Sequence, residues 1–162
     1  DVTPSQTGEC NRVAAGVPFD VTIPDDTIMQ PGQSFTKTWR LVNNGTCKWT
    51  RLYAVVFFSG NPMGAHQTNY LNAEVLPGQS IDVSVEFIAP FEPGMYQSNW
   101  MLQSQAGELF GLGPNGDAPF WVRIHVVGPP TSTPTITPLP TGSETVTPTF
   151  TPTSTDTPTP TP

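Results

Sequence analysis

The side chains that could carry out chemistry are few and widely separated in this 162-residue chain. The two histidines, His66 and His125, have no serine or cysteine nucleophile motif beside them, and the acidic residues form no recognisable hydrolytic pair. The segment LGPNGD at 112–117 could suggest a calcium loop, but only Asn115 and Asp117 supply side-chain oxygens, too few for about 6–8 ligands. The sequence therefore predicts no catalytic residue, no metal site and no cofactor.

The two cysteines, Cys10 and Cys47, offer the clearest covalent chemistry. They lack the CxxC spacing and the neighbouring histidine of a metal site, which favours a disulfide between them. Such a bond would hold the N-terminal lead-in to the domain, and it would indicate an oxidising compartment outside the cytoplasm. The triplet NGT at 44–46 makes Asn44 a formal N-glycosylation site, although Asn-Gly is also a hairpin-turn signal.

The composition of the chain changes near Gly128. All four tryptophans and both cysteines precede it, whereas 27 of the 34 residues after it are Thr, Pro or Ser, a composition that cannot fold alone. The net charge of −7 argues against a nucleic-acid partner, and the longest apolar run, AVVFF at 54–58, is too short to span a membrane. The chain begins at Asp1 with a Thr/Pro/Ser lead-in, as a secreted chain does after signal removal; a sequence trimmed for expression would also begin in this way.

Strand signals separated by Gly, Pro and Asn turns recur along the first part of the chain, without helical periodicity of useful length. About eight strands are predicted: FDVTIP (19–24), SFTKTWRLVNN (34–44), LYAVVFFSG (52–60), NYLNAEV (69–75), IDVSVEFIA (81–89), MYQSNWMLQS (95–104), GELFGLG (107–113) and PFWVRIHVV (119–127). Their number, spacing and length predict an all-β fold, an immunoglobulin-like antiparallel β-sandwich followed by an extended Thr/Pro-rich tail. The strand at 52–60 is apolar on both faces, so a loop or a neighbouring molecule is expected to cover its outer face.

The tryptophans fall into two groups by their positions on these strands. Trp39 and Trp100 are in phase with apolar neighbours, and with Trp49 they are predicted to be core aromatic residues. Trp121 is out of phase with the apolar residues of FWVRIHV and shares its face with Arg123. A large aromatic side chain on a polar face is informative, so Trp121 and Arg123 are candidate contact-surface residues, with packing under a loop as the alternative.

The same segments carry a family resemblance. Four tryptophans at strand positions occur with PGQSFTKTWRLVNNGTCKWT, PGQSIDVSVEFIAP, GMYQSNWML, LFG and FWVRI. Over roughly residues 10–127, this combination resembles the four-tryptophan Ig-like domain of Nbr-type autophagy cargo receptors and of many secreted bacterial proteins. The resemblance implies a β-sandwich that makes protein–protein contacts and is not catalytic. Bacterial members often carry the cysteine pair and Thr/Pro-rich linkers, so an autophagy role is not carried over to this chain.

The Thr/Pro-rich tail has a regular register. From Thr133 to Thr161, Thr occurs at every fourth residue without a break, and every Pro after residue 129 is even-numbered. In an extended β conformation, the odd-numbered residues would point their N–H and C=O groups to one edge of the strand. The prolines, which lack an N–H donor, would all interrupt the opposite edge, so the strand could pair on one side only. The even face carries Ile136, Val146 and Phe150, which are candidate contact residues. Polyproline geometry is the alternative, and it would leave no single Thr face.

The predicted domains are the N-terminal lead-in (1–9), the four-tryptophan Ig-like β-sandwich (10–128) and the extended Thr/Pro-rich tail (129–162). The tail is expected to be O-glycosylated, because a dense Thr row suits O-linked sugar. The candidate threonines lie on its odd-numbered face: Thr133, Thr135, Thr137, Thr141, Thr145, Thr147, Thr149, Thr151, Thr153, Thr155, Thr157, Thr159 and Thr161.

The sequence predicts a non-catalytic structural protein, secreted or at the cell surface and of bacterial type. It would be a subunit of a fibre or surface assembly in which the tail contacts neighbouring protomers, with covalent glycans and no nucleic acid as a partner. The alternative is a monomeric Ig-like module on a glycosylated stalk, which binds a protein or a glycan through the Trp121 face.

Overall fold

The computed structural model describes residues 10–128. Nine strands follow one another along these residues: β1 (Val13–Asp20), β2 (Thr27–Met29), β3 (Ser34–Asn43), β4 (Ala54–Gly60), β5 (Thr68–Tyr70), β6 (Ser80–Ile88), β7 (Gly94–Gln103), β8 (Leu109–Phe110) and β9 (Phe120–Val126). Sheet A has the order β1-β3-β6, and sheet B has the order β2-β9-β7-β4-β5, with β8 paired to β7. The paired strands are antiparallel except β2 and β9, which are parallel. The predicted fold class, an all-β Ig-like sandwich, is confirmed.

The core lies between the two sheets and is built from the alternating apolar residues of each strand. Trp39, Trp49 and Trp100 are completely buried there. The Trp39 ring meets Phe120 edge-on at 5.1 Å between ring centroids, and Trp100 meets Phe87 in the same way at 5.7 Å. These edge contacts link a strand of sheet A to a strand of sheet B, so the tryptophans fix how the sheets pack.

One charged side chain, Lys37, is buried on the core side of β3. It is fully excluded from solvent between Phe35 and Trp39, which precede and follow it on the same strand face. Its Nζ atom donates to Asp20 Oδ1 at 2.6 Å and to the main-chain oxygen of Ile23 at 2.5 Å. Because a buried ammonium group is stable only with such partners, Lys37 fixes the chain at the end of β1.

Three of the predicted strands are wrong in their bounds, and one of them, 107–113, is strand only at Leu109–Phe110. The segment 19–24 contains only the end of β1, and a connecting loop follows in which Ile23 and Asp26 have positive φ angles of 53° and 62°. This loop takes the chain from sheet A to sheet B and presents the Ile23 carbonyl to Lys37. The segment 69–75 is strand only as far as Tyr70, because the chain then leaves sheet B to continue into β6.

A disulfide joins Cys10 to Cys47, as predicted. The main-chain nitrogen of Cys47 also donates to the Cys10 oxygen at 3.1 Å. The bond therefore ties the segment before β1 to the loop after β3.

Replacing both cysteines by serine is expected to lower the free energy of unfolding by about 4 kcal/mol. The disulfide closes a loop over a sequence separation of 37 residues, and its loss gives that conformational entropy back to the unfolded chain. Urea unfolding of the oxidised chain and of the double-serine variant measures the difference. Two free thiols in freshly purified native protein, or a change below about 1 kcal/mol, would contradict this expectation.

Candidate interaction surfaces

Strand β9 places Trp121, Arg123 and His125 on the outer face of sheet B, because the alternate residues of this strand are buried in the core. Trp121 is half-buried, and the guanidinium carbon of Arg123 lies over its ring, 5.1 Å from the centroid. The indole nitrogen of Trp39 donates to the Trp121 main-chain oxygen at 3.1 Å, which fixes the strand at this position. The two candidate residues are thus neighbours on one surface.

Arg123 forms a bidentate ion pair with Asp26. Its Nε and Nη2 atoms donate to Asp26 Oδ1 and Oδ2 at 2.5 and 2.9 Å. The hydrogen bond from the guanidinium lowers the pKa of the Asp26 carboxyl and raises the pKa of Arg123. Since the pKa of Asp26 is lowered, the pair is intact above the ordinary carboxyl range and is lost as the pH falls through the lowered value. The surface therefore presents a half-buried indole ring whose one face is covered by an ion-paired guanidinium group.

Two exposed apolar residues border this surface. Ile28 on β2 and Met95 on β7 are both paired in register with His125, and their side chains are 63% and 54% exposed. We call Trp121, Arg123, His125, Ile28 and Met95 the β9 face. Its mixture of an aromatic ring, apolar side chains and an imidazole suits contact with a protein or a glycan.

The outer side of β4 is covered in part by a loop. Ala54, Val56 and Met101 are buried, although they lie outside the core cluster between the sheets. A Cβ atom on Gly111 would stand 3.0 Å from the Met101 Cε atom, so the loop that begins at Gly111 packs on this side. Phe58 remains about half exposed. The loop thus accounts for the apolar residues of β4 that are near Met101.

Strand β6 forms one edge of sheet A. The main-chain nitrogen of Ala89 and the main-chain oxygen of Gln79 both bond toward β3, whereas the Ile88 nitrogen bonds away from β3, to the Met63 oxygen. Because these directions alternate along a strand, the even-numbered residues of β6 point their N–H and C=O groups away from β3. In the part of the chain that the structure describes, Ile88 to Met63 is the only main-chain hydrogen bond on that side.

The other sheet edges are protected in the ways that natural proteins use. Strands β2 and β5 have three residues each, and β1 contains Pro18 and an interruption of its register after Ala15. In contrast, β6 has nine residues and pairs with β3 without interruption from Ser80 to Ile88. It is the longest regular edge within residues 10–128.

A groove opens between the two sheets beside β6. Its volume is about 200 Å³, and it reaches the core residues Val55 and Val83. Residues 69–72 form one side of the groove, and residues 82–84 of β6 form the other.

The remaining candidate residues are not brought together. His66 and His125 are both exposed, and Asn115 and Asp117 lie in the loop closed by the bridge between Leu112 and Ala118. Within residues 10–128, no group of three His, Cys, Asp or Glu residues could hold a metal ion. The described residues also include no helix of the length and apolarity needed to cross a membrane.

Some predicted site residues lie outside the described residues. These are the tail contact candidates Ile136, Val146 and Phe150, and the threonines proposed to carry O-linked sugar. Their roles stay predictions, as do the domain bounds. Conversely, the edge of β6 was missed by sequence reasoning, because alternation indicates a strand but does not indicate which strands are its neighbours.

The sandwich topology and the tryptophan core define an Ig-like domain. Residues 22–126 match the family described as the Ig-like domain from next to BRCA1 gene. The chain therefore belongs to this family of non-catalytic Ig-like domains, and the predicted four-tryptophan resemblance is confirmed.

The relatives share this domain and are much longer than it. Protein JOKA2 of Solanum tuberosum is 38% identical over 95 residues, which cover 57% of this chain and 11% of that protein. Next to BRCA1 gene 1 protein of Homo sapiens is 40% identical over 94 residues, which cover 57% of this chain and 10% of that protein. Protein ILRUN of Danio rerio is 35% identical over 92 residues, which cover 57% of this chain and 32% of that protein.

Solved structures resemble the chain more distantly. The CARDB domain of a Pyrococcus furiosus protein has a TM-score of 0.44 at 15% identity, and the match covers 72% of this chain and 93% of that chain. An MSP-domain-like protein of Caenorhabditis elegans, SSP-19, has a TM-score of 0.38 at 18% identity, with 65% of this chain and 95% of that chain covered.

Proposed function

We propose that this chain is a non-catalytic structural protein, secreted or at the cell surface, that assembles into a fibre or surface layer. In this assembly, the Thr/Pro-rich tail contacts neighbouring protomers and carries O-linked sugars. The disulfide supports a location in an oxidising compartment. The relatives' larger proteins supply no partner for this proposal, because this chain matches only a small part of each.

The observation that carries the proposal is the long regular edge of β6. Its outward main-chain groups form a template for another strand, and a monomeric protein that exposes such an edge risks uncontrolled aggregation. The same chain contains a tail whose Thr and Pro register would let it pair on one side only. The β6 edge can receive one strand, and the tail can pair along only one of its edges. Together they suit an assembly in which each chain adds to the next in one direction.

A monomeric binding module on a glycosylated stalk is the second candidate. The β9 face favours it, because Trp121 with exposed Ile28 and Met95 forms a surface on which a protein or glycan can pack. In this alternative, the tail would only hold the domain away from the cell surface.

Negative-stain microscopy of native material separates the two candidates. If the assembly proposal is correct, filaments or sheets of constant width are expected, and their repeat should match one sandwich domain. Dispersed single particles at high protein concentration would contradict assembly and favour the binding module.

A further inference from the structure

We propose that the segment 145–152 of one chain, TVTPTFTP, docks as an added strand on the β6 edge of a second copy. This inference rests on the proposed assembly and names the contact that would build it. The receiving edge is formed by the main-chain groups of Ser80, Asp82, Ser84 and Glu86. The added strand pairs with them through the main-chain groups of its four threonines. The pairing is antiparallel.

The hydrogen-bonding pattern carries the first step. The N–H and C=O groups that β6 points away from β3 belong to its even-numbered residues. In an extended segment 145–152, the main-chain groups on the edge without proline belong to Thr145, Thr147, Thr149 and Thr151. Four such pairs would exchange about eight main-chain hydrogen bonds. The two prolines of the segment would point their missing donors away from β6, into solvent, where Pro is tolerated in a sheet.

The two side-chain faces of the docked segment then match the solvent on the outer side of sheet A and the groove on its core side. The side chains of the even-numbered residues of β6 are exposed on the outer face of sheet A, whereas Val83, Val85 and Phe87 point into the core. Since directly opposed residues of an antiparallel pair share a face, the threonines would lie on the outer face. There they would extend the polar surface of Thr36 and Ser84, and their hydroxyl groups would stay open to O-linked sugar.

The even-numbered residues of the segment would face the groove between the sheets. In this pairing Pro148 lies opposite Val83, where the groove of about 200 Å³ reaches the core, and the large apolar side chains of Val146 and Phe150 lie on either side of it, opposite Val85 and Ile81. Parallel pairing would reverse this arrangement, because it would place the threonines on the core side and the apolar residues in water. The antiparallel orientation is therefore the one that buries apolar surface.

The lack of charge on the segment and the length of the spacer before it favour docking on a second copy. The segment is uncharged, so it meets no repulsion from Asp82 and Glu86, whereas the chain as a whole carries a net charge of −7. Residues 129–144 contain five prolines, which favour a stiff spacer of about 50 Å. A domain of this size is about 35–40 Å across, so an extended spacer of that length is long enough to reach a second copy.

Matched variants of the full chain test the edge. Ser84→Pro removes an outward N–H group that β3 does not use, and it is expected to weaken association at least about tenfold in sedimentation velocity. Ser84→Ala is the control, because it loses the hydroxyl contact with Thr38 but keeps the edge donor. It should associate like the wild-type chain.

Mixing two defective chains tests the direction of the contact. A Val146→Asp/Phe150→Asp chain keeps the edge but has lost the apolar face of its tail, and the Ser84→Pro chain has the opposite defect. Each alone should stay monomeric, and a mixture should form one-to-one dimers that grow no further. The dimer also shows that the Ser84→Pro chain can still donate its tail.

Amide hydrogen exchange of the wild-type chain tests the site without an edge variant. The N–H groups of Asp82, Ser84 and Glu86 should be protected in the assembled protein and exposed in the Val146→Asp/Phe150→Asp chain. The N–H groups of Val83 and Val85, which face β3, should be protected in both.

The possible failures can be told apart. If the wild-type chain assembles and the Ser84→Pro chain assembles equally well, the docking site is wrong, but the proposed function stands. If the wild-type chain is monomeric, the proposed function and the docking to a second copy both fail. In that monomer, edge protection that is lost with the tail substitutions would place the segment on its own domain.

Discussion

A chain that lacks Pro148 is expected to stay monomeric at concentrations at which the wild-type chain assembles. Removing one residue within the segment 145–152 moves Phe150 from the groove side to the outer side. Pro152 would then point its missing donor at β6 instead of solvent. The docked segment would lose both an apolar contact and a main-chain hydrogen bond, and association in sedimentation velocity should fall at least about tenfold.

Two further deletions provide the controls for this prediction. Removing Gly142 shortens the tail by the same amount but leaves the alternation of residues 145–152 intact, so assembly should persist. Removing Pro148 and Thr149 together restores the alternation and should recover part of the association. If the Pro148 and Gly142 deletions have equal effects, the register of this segment is irrelevant and the tail acts only as a spacer.

The strands that could be predicted well are those with one buried and one exposed face. Strand β6 alternates strictly between apolar and polar residues, and its bounds differ from the prediction by one residue at each end. Strand β9 was predicted equally well, including the unusual position of Trp121 on its outer face. In both strands, the local pattern reflects the burial directly.

The incorrect bounds come from residues whose positions depend on distant parts of the chain. The sequence at 19–24 has the composition of a strand, but Ile23 turns its carbonyl to Lys37, and Asp26 pairs with Arg123, 97 residues later. These contacts hold the chain in a loop with positive φ angles, against its local preference. No local pattern reports a partner at such a distance.

The proposed docking site combines a part that could be predicted with a part that could not. The tail register and its apolar residues Val146 and Phe150 can be read from the sequence. The acceptor cannot, because whether β6 is an edge or a central strand depends on the pairing order of sheet A. The groove similarly depends on how residues 69–72 pack beside β6.

Among substitutions that remove one charged side chain, those in the buried ion pair of Asp20 and Lys37 should change the stability most. Asp20→Ala is expected to lower the free energy of unfolding by about 3 kcal/mol, because it leaves the Lys37 ammonium buried without its anion. The Ile23 carbonyl would remain as its hydrogen-bond acceptor, with the Trp39 ring 5.8 Å from Nζ and the Asp25 carboxylate interacting only electrostatically. Asp20→Asn keeps the shape of the side chain and removes its charge, so it should be nearly as destabilising.

Lys37→Met should be milder than Asp20→Ala, although it removes the same ion pair. The Asp20 side chain is 30% exposed and can be hydrated again, while methionine fills the space of the lysine chain in the core. The loss should be about 1 kcal/mol, and adding Lys37→Met to Asp20→Ala should recover most of the stability. Urea unfolding of the three variants under non-reducing conditions measures these differences. Equal losses for Asp20→Ala and Lys37→Met, or no recovery in the double variant, would show that the buried charge is not what makes Asp20 necessary.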